Sequence, residues 1–186
     1  RLRENAGLAF QGSIVLGMGF VLREEEARAL LARDPRNAEV VLPYQSGEDL
    51  TQRPDQSPGR WVIQFDERTE AEARGYTDAW AIVERRVRPE RLSKDAARYP
   101  RMVEEWWKHW NNRRELARGT AGLPRGLATA RVSPTQAFAF VSGRRVYHEK
   151  LVVFATADAG VFAVLQSAAH QAWSRRYTST RGGLAT

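Results

Sequence analysis

An α+β fold of short antiparallel strands and several helices follows from three features of the sequence. Four short apolar segments cluster after residue 125, separated by turn-forming residues. Apolar side chains recur at helical spacing in the middle of the chain and again near its end. Residues 60–65, Arg-Trp-Val-Ile-Gln-Phe, alternate as a strand does.

In chain order, the mostly apolar residues 8–16 predict a strand. Residues 22–33 predict a helix, with Glu24, Glu25 and Glu26 in its first turn and Arg33 at its end, as the helix dipole favours. Asp34-Pro35 ends it. Residues 40–44 form a short strand, and residues 45–59, rich in Ser, Gly, Asp and Pro, form a loop in which Asp49 bonds to nearby backbone. Residues 60–65 make a central strand with Trp61 in the core. Thr69 caps a short helix to residue 75, and Glu72 closes its capping box. Residues 76–88 form an amphipathic helix on Trp80, Val83 and Val87, stopped by Pro89. Residues 99–110 form a short helix with Met102, Val103, Trp106, Trp107 and Trp110. Neighbouring Trp106 and Trp107 cannot share one helix face, so one is core and the other is open to a nucleotide or another domain.

Residues 126–132, 137–141, 144–148 and 151–154 predict an antiparallel meander, with Gly143 in a tight turn. A last helix spans residues 159–177. Its core stripe is Val161, Leu165, Ala168, Ala169 and Trp173. Gln166, His170, Ser174 and Arg175 or Arg176 lie opposite, with His170 as a packing residue.

Composition narrows the function. The 186 residues are 42% hydrophobic and 27% charged, which fits a globular core and not a disordered chain. The absence of cysteine excludes disulfides, cysteine-based zinc sites and cysteine nucleophiles. No apolar run is long enough to span a membrane and no secretory signal precedes residue 20, so a cytoplasmic location is expected. A chain running from Arg1 to Thr186 without a structural start or stop is expected to be a piece of a longer protein.

The net charge is +7, and it is unevenly spread. Residues 1–111 hold 18 Lys/Arg against 19 Asp/Glu, whereas residues 112–186 hold 11 against 3. Of the 29 basic residues 26 are Arg, which a compositional bias explains, but such a bias does not explain the missing acids. An acid-poor, Arg-rich region points to a polyanion, most often nucleic acid.

Familiar catalytic patterns are missing. His109, His148 and His170 stand in no metal-binding spacing, so neither metal nor catalytic residues are nominated. Leu16-Gly17-Met18-Gly19-Phe20 has two glycines of a dinucleotide loop, but Leu22 replaces the third, and a strand-end turn is the better reading. No Gly-Lys-Ser/Thr phosphate loop and no Gly-x-Ser-x-Gly elbow occurs. The acid that common nucleases place two residues before a catalytic Lys is absent: Leu92, Trp106 and His148 precede Lys94, Lys108 and Lys150. Glu24 to Glu26 and Glu104-Glu105 read as solvated helix faces.

Several strings are more specific than their composition. They are Val41-Leu-Pro-Tyr-Gln-Ser-Gly-Glu-Asp-Leu50, Arg53-Pro-Asp-Gln-Ser-Pro-Gly-Arg-Trp-Val-Ile-Gln-Phe65 and Val87-Arg-Pro-Glu-Arg91. After these come Trp106-Trp107, Arg113-Arg114-Glu115-Leu116, Leu165-Gln-Ser-Ala-Ala-His-Gln-Ala-Trp173 and Tyr177-Thr-Ser-Thr180. In this order, over residues 37–181, they resemble the target recognition domain of type IIG/IIL-like restriction–modification N6-adenine DNA methyltransferases, which include relatives in phage defence. The resemblance implies residues 37–186 as a DNA specificity domain. It makes residues 1–36 a connecting strand and helix from an absent catalytic domain. It also implies double-stranded DNA and that catalytic domain as partners. S-adenosylmethionine belongs to the absent domain, and no cofactor is expected in this chain, where Pro43-Tyr44 lacks the preceding residues of the family's methylation motif. Two alternatives are a protein-interaction module with a basic face and a nucleic-acid hydrolase with an unrecognised site.

The expected DNA-binding residues are Arg113, Arg114, Arg125, Arg131, Arg144, Arg145, His148, Lys150, Arg175, Arg176 and Arg181. If both lie in the strand, alternation lets only one of Arg144 and Arg145 face DNA. Arg175 and Arg176 also suit the C-terminal end of a helix dipole, and Arg114 has Glu115 beside it.

Overall fold

A computed structural model describes residues 7–133, 136–177, 180–181 and 184–185, the last four by their backbone. The architecture is α+β. The strands are β1 (Ala9–Gln11), β2 (Val21–Leu22), β3 (Val41–Gln45), β4 (Arg60–Ile63), β5 (Arg125–Ala130), β6 (Phe138–Ser142), β7 (Val146–Tyr147), β8 (Leu151–Phe154), β9 (Thr180–Arg181) and β10 (Leu184–Ala185). The helices are α1 (Glu24–Arg33), α2 (Gly47–Gln52), α3 (Glu70–Arg74), α4 (Thr77–Arg86), α5 (Arg88–Leu92), α6 (Pro100–Glu104), α7 (Arg114–Thr120), α8 (Ala159–Gln166) and α9 (Ala168–Tyr177). The chain forms two compact units interleaved in sequence. Unit 1 takes Arg1–Gly12, Gln45–Ser57 and Arg113–Thr186, and unit 2 takes Ser13–Tyr44 and Pro58–Asn112.

In unit 2 the strands run antiparallel in the order β2-β4-β3, with Val62 opposite both Val21 and Leu42. Val62 and Ile63 are fully buried, as a central strand requires. Trp61 is half-buried and not core, because the buried stretch of this segment begins one residue later, at Val62. Helix α1 forms as its charges predict and buries Ala27 and Leu30. Glu26 accepts the Arg23 N–H at 2.9 Å, and a hydrogen bond from Arg86 holds its carboxyl below the usual range. Thr69 and Glu72 form the expected capping box, an arrangement worth about 1 kcal/mol.

Two helical expectations fail here for identifiable reasons. Pro89 does not stop the helix at residue 88. Helix α4 ends at Arg86, and Pro89 sits in the first turn of α5, where a missing N–H costs nothing. Trp106 and Trp107 are both buried, at 6% and 7% exposure. Helix α6 ends at Glu104, so the pair lies on a turn outside the helical period. Both rings reach Trp80, with centroids at 4.9 and 6.2 Å.

The centre of unit 2 holds a cation. Arg91 is 1% exposed, and its Nη2 donates to the carbonyls of Val15 at 3.2 Å and Leu16 at 2.7 Å. These bonds secure a turn in which Leu16 and Gly17 take positive φ, 55° and 105°. The Arg91 guanidinium lies 5.8 Å from the Phe20 ring, and His109 meets the same ring edge-on at 4.8 Å. His109 Nε2 lies 2.9 Å from the Ile63 carbonyl, a contact in which the nitrogen donates. Burial, with Arg91 nearby, pushes this imidazole down to about 4.

In unit 1 the segment expected as a loop contains helix α2. Ser46 and Asp49 cap it: Asp49 accepts the Ser46 N–H at 2.8 Å and hydroxyl at 2.7 Å. The same Ser, Gly and Asp that suggest a loop also write a capping box. The sheet order is β1-β8-β5-β6, all antiparallel, and not a meander. Strand β8 returns to the far side of β5, β1 closes that edge, and β7 lies outside the sheet.

Register sorts the residues of this sheet by face. Phe10, Val153, Ala128 and Ala139 align in one row, and they pack with Leu50 of α2 and Leu116 of α7. Ala9, Phe154, Leu127 and Phe140 align on the opposite face. There Phe140 meets Phe162 of α8 at 5.2 Å, and Phe138 meets His170 of α9 at 6.0 Å.

The single helix expected over residues 159–177 breaks at Ser167, whose ψ is 151°. Its hydroxyl donates to the Val164 carbonyl at 2.8 Å and accepts the His170 N–H at 3.1 Å. The expected core stripe does not face inward: Val161 is 39% and Trp173 63% exposed, Ala168 and Ala169 are also exposed, and Leu165 alone is half-buried.

Native-state stability is expected to fall as pH drops from about 6.5 toward 4, because the unfolded His109 binds a proton there and the folded one does not. The contribution amounts to roughly 3 kcal/mol, fully present above about 6.5. Urea unfolding between pH 7 and 4.5 should show a shallower loss in His109→Gln than in the wild type; identical slopes would contradict it.

Candidate nucleic-acid interface

Grouping the charges by unit sharpens the asymmetry seen along the chain. Unit 2 holds 15 Lys/Arg and 15 Asp/Glu, whereas unit 1 holds 14 against 7. The whole formal excess of +7 therefore falls in unit 1.

In unit 2 many arginines meet carboxylates. Arg28 pairs with Glu24 at 2.6 Å, Arg33 with Asp78 at 3.3 Å, and Arg36 with Asp34 at 2.7 Å. Arg74 pairs with Glu70 at 2.8 Å and Arg88 with Glu84 at 3.2 Å. Such exposed pairs stabilise by at most about 1 kcal/mol each, but they cancel the local field.

Three of the expected DNA-binding arginines of unit 1 are engaged in bonds within the unit. Arg113 takes a left-handed backbone, φ 52°, just ahead of α7. Its Nε donates to the Gly12 carbonyl at 3.3 Å and its Nη2 to Gln11 Oε1 at 2.9 Å, tying α7 to the end of β1; Glu115 is 3.8 Å away. Arg125 lies over the Phe140 ring, 3.7 Å from its centroid. It donates to the Ala157 carbonyl at 3.3 and 3.0 Å, which anchors the start of α8. Arg145 folds inward, donating to Gln45 Oε1 and to the Ser142 carbonyl, and burial lowers its pKa. The partners are largely neutral oxygens, so the guanidinium groups are held in place while the charge is retained, although Arg145 Nε is buried without a hydrogen-bond partner.

Arg114, Arg131, Arg144, Lys150, Arg175 and Arg176 are exposed. Arg144 and Arg145 precede β7 and lie outside any strand, so alternation does not apply to them; Arg144 is exposed and Arg145 folds inward. Arg131 Nη1 lies 3.4 Å from the Glu149 carbonyl. His148 is half-buried; its Nδ1 accepts the Lys150 backbone N–H at 3.0 Å, and its backbone N–H donates to the Gln45 carbonyl at 2.9 Å. Arg175 and Arg176 occupy the last turn of α9, where the helix dipole favours cations. The Arg181 backbone lies in β9, and its side chain lies outside the described residues.

Linear charge counting places Arg53 in the balanced part of the sequence, and its neighbour Gln52 carries no charge to count. Both are exposed and belong to unit 1, yet they sit in the stretch of sequence whose charges balance. Only the contact between distant segments assigns them to the basic unit. Among the described residues, no group of three or more His, Asp or Glu side chains is arranged to hold a metal ion. No helix of the described residues is long and apolar enough to cross a membrane.

Residues 7–180 match the family described as MmeI, target recognition domain. Among solved structures, the chain is similar to the Type IIL restriction-modification enzyme MmeI in complex with DNA, with a TM-score of 0.71 and 14% sequence identity. The match covers 96% of this chain and 23% of that one, so the chain spans about a quarter of its structural relative. At this identity the likeness establishes the fold. No curated protein matches the sequence. With nearly its whole length matched, the chain belongs to the MmeI target recognition domain family.

Proposed function

We propose that this chain is the DNA-sequence specificity domain of a restriction–modification enzyme and binds duplex DNA through unit 1. The observation that carries this reading, beside family membership, is the +7 excess held in that unit. Arg131, Arg144, Lys150, Arg175 and Arg176 are exposed and suited to phosphates, which supply affinity and register. Arg113, Arg125 and Arg145 position the elements that carry them and add to the field without reaching the duplex.

The chemistry belongs elsewhere in the parent enzyme. Methylation of adenine N6 requires the base to leave the stack, while flanking duplex is held in place. This chain supplies the holding and reading. A separate catalytic domain binds S-adenosylmethionine and transfers the methyl group.

Titration with duplex DNA is expected to give a Kd of about 10⁻⁴–10⁻⁶ M at physiological salt, with a log–log salt slope of roughly −4 to −5 for five phosphate contacts. Alanine at Arg144, Arg175 or Arg176 should flatten the slope by about 0.9 each, while alanine at Arg23, Arg28 or Arg33 should leave it unchanged. A slope near zero, or a larger effect of the second set, would contradict the assignment.

Calorimetry with S-adenosylmethionine is expected to show no micromolar binding, and incubation with duplex no methyl transfer. Turnover by this chain would overturn the division of labour.

A further inference from the structure

Gln45 ends β3 and is fully buried. Its side-chain amide is used at both ends. Nε2 donates to the Gln56 carbonyl at 3.0 Å, and Oε1 accepts from Arg145 Nη1. The other arm of Arg145 donates to the Ser142 carbonyl, in a turn where Gly143 takes φ 80°. Two hydrogen bonds through Gln45 therefore connect two surface segments of unit 1, residues 52–57 and residues 142–145, and a third braces the 142–145 turn itself. A buried amide satisfied at both ends fixes its partners, since breaking either bond leaves a desolvated polar group.

The 52–57 segment is itself held rigidly. Gln56 adopts φ 51°, a conformation unfavourable for a residue with a Cβ. Its side chain donates to the Pro54 carbonyl at 2.7 Å, and its backbone N–H donates to the Arg53 carbonyl at 3.0 Å. Asp55 accepts the Ser57 N–H at 3.1 Å. Arg53 Nη1 donates to the Ser57 carbonyl at 3.2 Å. Gln52, Arg53 and Asp55 are exposed. They are residue types whose planar polar groups match adenine, guanine and cytosine edges respectively. Arg53 and Asp55 cancel each other's formal charge, so the segment adds little to phosphate attraction. A rigid, polar, charge-balanced loop on an otherwise cationic unit suits reading and not general attraction.

We propose that residues 52–57 form a base-reading loop, locked to the 142–145 turn by Arg145 through Gln45; the proposal rests on the DNA-binding reading above. Arg53 and Gln52 contact base edges. Arg145 is a positioning residue that acts through Gln45 and touches no DNA.

The test is selection of this chain against a random-sequence duplex pool, with the bound fraction sequenced. The wild type enriches a motif. Arg53→Ala relaxes preference at one or two adjacent positions, by about 5- to 150-fold in discrimination, and keeps the rest. Arg145→Ala relaxes those same positions, and adding Arg53→Ala to it changes nothing further. Gln56→Gly keeps the left-handed backbone and removes the side-chain bond to Pro54. It relaxes the same positions and provides the comparison should Arg145→Ala unfold. Unchanged preference in Arg53→Ala overturns the proposal. So does weakening of every sequence alike with a flatter salt slope, which marks a phosphate contact. Additive effects of the Arg53 and Arg145 substitutions overturn the positioning role. A wild-type chain that enriches no motif overturns the DNA-specificity reading itself, and this is seen before any variant is compared.

Discussion

Neutral oxygen atoms hold the inward-facing guanidinium groups of unit 1, and this leaves its positive charge uncancelled. A carboxylate partner would satisfy the same donors but remove the charge, as it does for Arg28, Arg33 and Arg74 in unit 2. A backbone carbonyl or an amide oxygen satisfies them and leaves the field intact. Arg125 meets the Ala157 carbonyl, Arg145 a glutamine amide and a carbonyl, and Arg113 a glutamine amide and the Gly12 carbonyl, with the Glu115 carboxylate farther off at 3.8 Å. Each bond also fixes an element: α7 beside β1, the start of α8 beside β5, and the 142–145 turn. Structural order and electrostatic potential thus come from the same side chains.

Much of unit 2 was legible because its signals are local. The acidic first turn of α1, the Thr69–Glu72 box and the β-branched Val62-Ile63 of β4 need no distant partner to be recognised, although burial in β4 runs consecutively and does not alternate. The failures came where one local signal has two meanings. Ser46 and Asp49 read as loop residues and are a helix cap. Ser167 sits inside a helical pattern and starts a new helix. Pro89 reads as a stop and opens α5. The pairing of β8 with β5 and of β1 with β8 joins segments that composition cannot bring together.

The candidate interface was legible by residue type but not by role. A count of missing acids found the basic region, and the order of short strings found the family. Neither separates Arg144, which is exposed, from Arg145, which turns inward to Gln45. Arg53 was invisible to a linear count because folding, not sequence, places it in unit 1, and Gln52 carries no charge to count. Unit 2, with its balanced surface and a core built around Arg91, Phe20 and His109, contributes no net field.

Hydrogen exchange with and without saturating duplex tests most directly whether unit 1 is the DNA-facing part of the chain. Protection is expected over residues 52–57, 142–150 and 168–177, with α1, α3 and α4 unchanged. Protection concentrated in α1, α3 and α4, with none in the segments of unit 1, would contradict the account.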